Sequence, residues 1–262
     1  MDNRGVLQWP ANRFLLFYYG RRLCWSASIT AQATALLRLH GTLLFDMPLS
    51  IQHVVTWMSF HGLIVEGEGG ALRDLMTVHP FLFYEGYVAE AFYPTTWSLN
   101  DELPLFPIGT PRFGITDFAR LSLTAENAST YEQQLILHLE HSPITCVSPS
   151  YPSFGAYNGL GIWYPTPAEV TAGFRFLHAM MLSGHGVDEF GVGYWELQQT
   201  RGPAYGYGGF VRIARHLKLI RNAFLMGVNG VGYCYRTFDR MMLRNTSIAY
   251  GRVQMYPYLH FN

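Results

Sequence analysis

Charge is scarce and balanced in this sequence. Lys and Arg number 18 against 18 Asp and Glu, a formal net charge of zero, and charged residues make up only 14% of the 262. With no net field to draw in a polyanion, neither nucleic acid nor an anionic membrane is expected as a partner. Cysteine is scarcer still. Cys24, Cys146 and Cys234 form an odd set that has neither the number of a disulfide framework nor the spacing of a metal site. At least one thiol therefore stays free, and no metal or other cofactor is expected. Long apolar runs are missing as well: no stretch of 18 residues is free of charge, Gly and Pro, and the first fifteen residues carry Asp2, Arg4, Pro10 and Arg13. Neither a membrane span nor a secretory signal is expected on that ground, and the chain as written reads as cytoplasmic.

What is abundant is core-forming material, 49% hydrophobic and 16% aromatic, enough for one large domain or two lobes. The chemistry gathers around Arg21-Arg22-Leu23-Cys24-Trp25-Ser26-Ala27-Ser28. Cys24 opens a run of small and aliphatic residues that ends at Gly41, which predicts a buried helix with the cysteine in its first turn. A thiol placed there meets the positive end of the helix dipole and unpaired backbone N–H groups, both of which favour thiolate. An inert buried cysteine is the competing reading of this stretch taken alone.

Further along, Ile51, Val54, Val55 and Met58 predict a short helix capped by Ser50. Gly67-Glu68-Gly69-Gly70 is a glycine knot where backbone can come close to another chain, and Ala71, Leu72, Leu75 and Met76 after it stand at helical spacing. Residues 97 to 130, rich in Pro, Asn, Asp, Ser and Thr, read as a surface crossing between two lobes. A helix is predicted over 130 to 140 and a strand over 144 to 147. Strands follow at 161 to 164, 176 to 182, 194 to 197 and 209 to 213, separated by glycine-rich turns, one of which takes in His185. His138 and His141 lie three apart on the predicted helix, without a third ligand for zinc.

The order of these segments resembles the papain family of cysteine peptidases. The resemblance is carried by Leu23-Cys24-Trp25-Ser26-Ala27-Ser28, Glu68-Gly69-Gly70, Glu90-Ala91-Phe92-Tyr93-Pro94, Leu177-His178-Ala179-Met180-Met181, Gly193-Tyr194-Trp195-Glu196-Leu197 and Tyr207-Gly208-Gly209-Phe210-Val211-Arg212-Ile213-Ala214-Arg215. It implies an α+β fold of two lobes, a helical lobe to about residue 110 and an antiparallel, β-rich lobe over about 111 to 262, with an active-site cleft between them. It also implies a thiol peptidase. Cys24 is the nucleophile, His178 the general base and acid, and Gln199 the amide that orients the histidine; the Cys24 N–H and Tyr18 stand at the oxyanion. Gly69 and Gly70 would pair with an extended peptide, and Leu72, Phe176, Leu177 and Ala179 would form an apolar pocket for the residue two before the scissile bond. A peptide or protein substrate, a cystatin-like or pro-segment inhibitor and a monomeric state are the implied partners and assembly. No pro-segment precedes the mature start in the sequence as written, although relatives are usually lysosomal, vacuolar or secreted.

Several positions depart from the family pattern. Gln199 stands where the family has Asn, Arg201 where it has the shielding Trp, Tyr18 where it has the oxyanion Gln, and Arg22 and Leu23 where it has Gly and Ser. Arg21 and Gly67 occupy the places of two paired half-cystines. These departures keep open a second reading, a catalytically impaired pseudoprotease that binds peptides or inhibitors in the same cleft. On the family's geometry, restoring Tyr18→Gln and Gln199→Asn together would raise hydrolysis at least about tenfold.

Overall fold

A computed structural model describes residues 22–65 and 68–228. Arg21, Gly67, Tyr18 and Cys234 lie outside the described residues.

Helix α1, Cys24–Leu39, starts at the cysteine and is buried on almost every side. A helix so enclosed belongs in the middle of a molecule rather than on its surface. Gly41, at φ +68°, ends it in a backbone region that glycine enters without strain. Gln32 fastens its centre to the sheet: Nε2 donates to the Phe224 carbonyl at 2.9 Å, and Oε1 accepts from the Thr145 N–H at 2.9 Å. Helix α2, Ile51–Phe60, begins at Ser50, whose Oγ accepts from the His53 N–H at 3.0 Å. The helical structure foreseen from Ala71 does not start there. Ala71 is instead used to close the glycine loop, accepting from Val65 N–H at 2.9 Å and donating to the Glu68 carbonyl at 3.3 Å. Helical structure begins only at Leu75, with a 3-10 turn, Leu75–Val78, capped by Asp74 and followed by a π-helical turn, Phe81–Glu85.

Seven strands form one sheet in the order β1-β7-β2-β4-β5-β6-β3. They are β1 Asp117–Ser122, β2 Ile144–Ser150, β3 Ile162–Trp163, β4 Phe176–Val187, β5 Gly193–Gln198, β6 Phe210–Ala214 and β7 Asn222–Gly227. Every pairing is antiparallel except β3 with β6. Helices α3 Tyr131–Leu139, α4 Pro152–Ala156 and α5 Pro167–Ala172 join these strands in an α+β fold. Its buried apolar residues fall into two clusters. One lies around α1, α2 and residues 75–87 and takes in Phe118, Ala179 and Phe224 from the sheet. The other lies among α3, Trp163, Trp195 and the inner face of β4 to β6.

Two expectations need correction here. Strand β1 falls inside the stretch read as a crossing: it is an edge strand with a single buried side chain, Phe118, and has no alternating apolar signal to find. His185 is not in a turn but within β4, opposite Trp195. The glycine beside it, Gly186, signals close packing instead, since a Cβ there would lie 2.6 Å from the Tyr194 hydroxyl.

Glu169 pins α5 to α4. Its carboxylate accepts from the Ser153 N–H at 2.6 Å, Ser153 Oγ at 2.8 Å, the Thr166 N–H at 3.0 Å and Thr166 Oγ1 at 3.1 Å. The backbone N–H of Thr166 and that of Ser153 lead in holding its pKa down to about 2, from an ordinary 4.5. A depressed carboxylate contributes stability above its unfolded pKa and loses it as pH falls through the folded one. Urea midpoints measured from pH 6 down to 2 should therefore fall less steeply for Glu169→Gln than for wild type, with the difference closing between about pH 4.5 and 2. Parallel curves would mean that this carboxylate is not held as described.

Candidate active site

The site forms where the N-terminus of α1 meets β4. Cys24 is the first residue of its helix, so its own N–H has no carbonyl one turn earlier within that helix. Its Sγ accepts from the Ala179 N–H at 3.5 Å. His178, next along β4 and 3% exposed, lies close enough to Cys24 for their charges to interact, and its Nε2 lies 3.0 Å from Gln199 Oε1. Gln199 follows β5 directly, and its backbone N–H donates to the Gly209 carbonyl at 2.9 Å. Three of the residues singled out in the sequence, Cys24, His178 and Gln199, thus come together: Gln199 bonds the His178 ring, and the residue after His178 bonds the Cys24 thiol.

The electrostatics of the site follow from this geometry. Burial alone would push the Cys24 thiol up, but the charge of His178, its ring hydrogen bond and the N–H groups of Ala179 and Trp25 more than reverse it, so the thiol lies below its ordinary value. Burial likewise disfavours the His178 imidazolium, yet the Cys24 thiolate, its hydrogen bond and Gln199 raise the ring above its ordinary value, against a smaller opposing push from Arg201. Each partner stabilises the charged form of the other. Cys146 is the contrast: buried on β2, its thiol is pushed far up by desolvation, the signature of an inert core cysteine.

The glycine loop lies against the nucleophile segment. Arg22 N–H donates to the Gly69 carbonyl at 2.6 Å, the Trp25 indole N–H donates to the Gly70 carbonyl at 2.8 Å, and Arg22 pairs with Glu68 at 2.8 Å. Gly70 has φ +94°, and a methyl group added to it would come 2.6 Å from Leu23 Cδ2 and 3.2 Å from Leu99 Cδ2. Leu23 thus packs over Gly70. Among the presumed pocket residues, Leu72 packs half-buried against the core around α1, and Ala179 is buried in that core. Alternation along β4 puts Leu177 on the Ala179 face and Phe176 on the opposite face with His178, whose ring it meets edge-on at 6.4 Å. Leu177 and Phe176 are both exposed. Arg201 turns its guanidinium over Tyr205, 4.7 Å from the ring centre.

Two contributors were not foreseen from the sequence. The Ala179 N–H on the thiol becomes visible only once β4 is laid against α1. Met180, whose Sδ accepts from Gln199 Nε2 at 3.7 Å, reads in sequence as one more apolar strand residue.

The fold is shared with solved plant and insect cysteine proteases. The bromelain protease of Ananas comosus, solved in complex with the E64 inhibitor, superposes with a TM-score of 0.66 at 20% identity, covering 87% of this chain and 98% of that one. Procathepsin L2 from the larval midgut of Tenebrio molitor gives a TM-score of 0.66 at 20% identity, covering 87% of this chain and 67% of that one. In sequence, fruit bromelain of Ananas comosus is 30% identical over 84 residues, which is 32% of this chain and 22% of that protein's length. Residues 23–227 match the papain family cysteine protease model, and the chain belongs to that family.

Proposed function

We propose that this chain hydrolyses peptide bonds as a thiol peptidase, with Cys24 as nucleophile and His178 as the group that takes and returns the proton. The observation that carries the reading is the juxtaposition of the Cys24 thiol, bonded by the Ala179 N–H, with the neighbouring His178, whose Nε2 lies 3.0 Å from Gln199 Oε1. The thiolate adds to the peptide carbonyl carbon while the Cys24 N–H faces the developing oxyanion. His178 then gives its proton to the leaving amine, and the thioester is hydrolysed by a water that the same ring deprotonates. Gln199 holds the ring in place throughout. The chain acts as a monomer on peptide or protein substrates and is open to pro-segment or cystatin-like inhibitors.

One observation favours the alternative, a cleft that binds without turnover. Leu23 covers Gly70, and the Gly69 and Gly70 carbonyls are already engaged by Arg22 and Trp25, which narrows the backbone available to an extended peptide. Comparing wild type with Cys24→Ala on a peptide library decides between the two: cleavage lost in the variant supports the peptidase, and equal binding with no cleavage by either supports the pseudoprotease.

Specificity is the same under both readings. Leu72, Leu177 and Ala179 are apolar, so Leu or Phe two residues before the scissile bond should gain about 1.5 to 3 kcal/mol from burial, whereas Arg or Glu would be desolvated without a partner. A library preference for a charged residue at that position would show that the cleft has been placed wrongly.

A further inference from the structure

We propose that Met180 is a positioning residue for His178, acting through Gln199; this rests on the reading of Cys24 and His178 as the reacting pair. His178 and Met180 stand two apart on β4, so their side chains leave the same face of the strand. Both are buried, at 3% and 2% exposure. The Gln199 amide lies between them, with Oε1 3.0 Å from His178 Nε2 and Nε2 3.7 Å from Met180 Sδ.

The orientation of that amide is fixed by chemistry. Thr200 presents a backbone N–H 2.9 Å from the same terminus that faces His178. A backbone N–H can only donate, so this terminus is the oxygen, and the NH2 group is turned onto Met180. A thioether sulfur carries no hydrogen and accepts only, which makes it a weak but correctly signed partner. Glutamine has one more rotatable bond than asparagine, so a longer orienting amide needs an anchor on its far side. Met180 supplies one on the strand that carries the histidine. An aliphatic residue there would leave a buried amide N–H without an acceptor, and the amide would give up its alignment with the imidazole to find another.

The test is a double-mutant cycle read on the His178 ring by NMR titration of the full chain, using wild type, Met180→Leu, Gln199→Ala and the double variant. Leucine keeps the volume and apolar character of methionine and is well tolerated in cores. Met180→Leu should lower the His178 titration midpoint with Gln199 present and have no further effect with Gln199 absent. The Gln199 side-chain amide resonances give a second readout that needs only the single variant: they should move and exchange faster in Met180→Leu. An unmoved midpoint, or the same shift with and without Gln199, would overturn the proposal. The titration reads this coupling whether or not the protein cleaves peptides, so a failure of the peptidase reading is seen separately, in the library assay.

Discussion

His178→Ala should slow alkylation of Cys24 at pH 5.5 by up to about a thousandfold, because a thiol of ordinary pKa near 8.5 is ionised to only about one part in a thousand there. The sign follows from the two partners. Burial pushes the Cys24 thiol up and the His178 charge and hydrogen bond bring it down, so removing the ring leaves burial opposed only by the Ala179 and Trp25 N–H groups. His178, with its pKa raised above the ordinary imidazole value, is cationic at pH 5.5 and supplies that charge. His185→Ala is the control. That ring is exposed on β4, stands 6.0 Å from Trp195 and should leave the rate within a factor of about two, since it forms no pair with the thiol. Equal effects of the two changes would remove His178 from the reacting pair.

Gln199→Asn should lower peptide hydrolysis on the order of a hundredfold, the opposite of what family analogy suggests. Gln199 Oε1 already lies at hydrogen-bonding distance from His178 Nε2 and takes the Thr200 N–H. Shortening the side chain by one methylene withdraws the amide by about 1 Å or more, and displacements of that size at a catalytic group cost about a hundredfold. The Gln199 Nε2 contact with Met180 is lost as well. Steady-state kinetics of the variant give the answer, and a rate equal to or above wild type would mean that the glutamine is a misfit rather than a fitted replacement.

Much of this was legible in the sequence, for identifiable physical reasons. Helix α1 declared itself by a long apolar run with a glycine stop, and α2 by a serine cap ahead of residues at helical spacing. Strands β4, β5 and β6 came from apolar runs bounded by glycine, and β2 from the short apolar run Ile144 to Val147. Strand β1, with one buried residue, gave no such signal, nor did α4 and α5, of 5 and 6 residues, too short for a helical period. Gly186 misled because a glycine that admits a neighbouring tyrosine ring looks, in one dimension, like one that makes a turn. In the site, the choice of Cys24, His178 and Gln199 rests on the resemblance of the segment order to the papain family. The Ala179 N–H, the covering of Gly70 by Leu23 and the Met180 sulfur are contacts between distant segments, and no local pattern encodes them. Phe176 shared a presumed pocket with Leu177 and Ala179 only until the strand's alternation placed it on the other face.

The most direct measurement is to treat the protein with limiting E64 at pH 5.5, the inhibitor bound by the related bromelain, and to map the modified residue by mass spectrometry. An activated thiolate should be labelled stoichiometrically at Cys24, while Cys146, buried with its thiol pushed up, should stay unmodified. Absence of labelling at Cys24, or labelling that appears only as pH rises toward the ordinary thiol range, would contradict the thiolate and imidazolium pair on which the account rests.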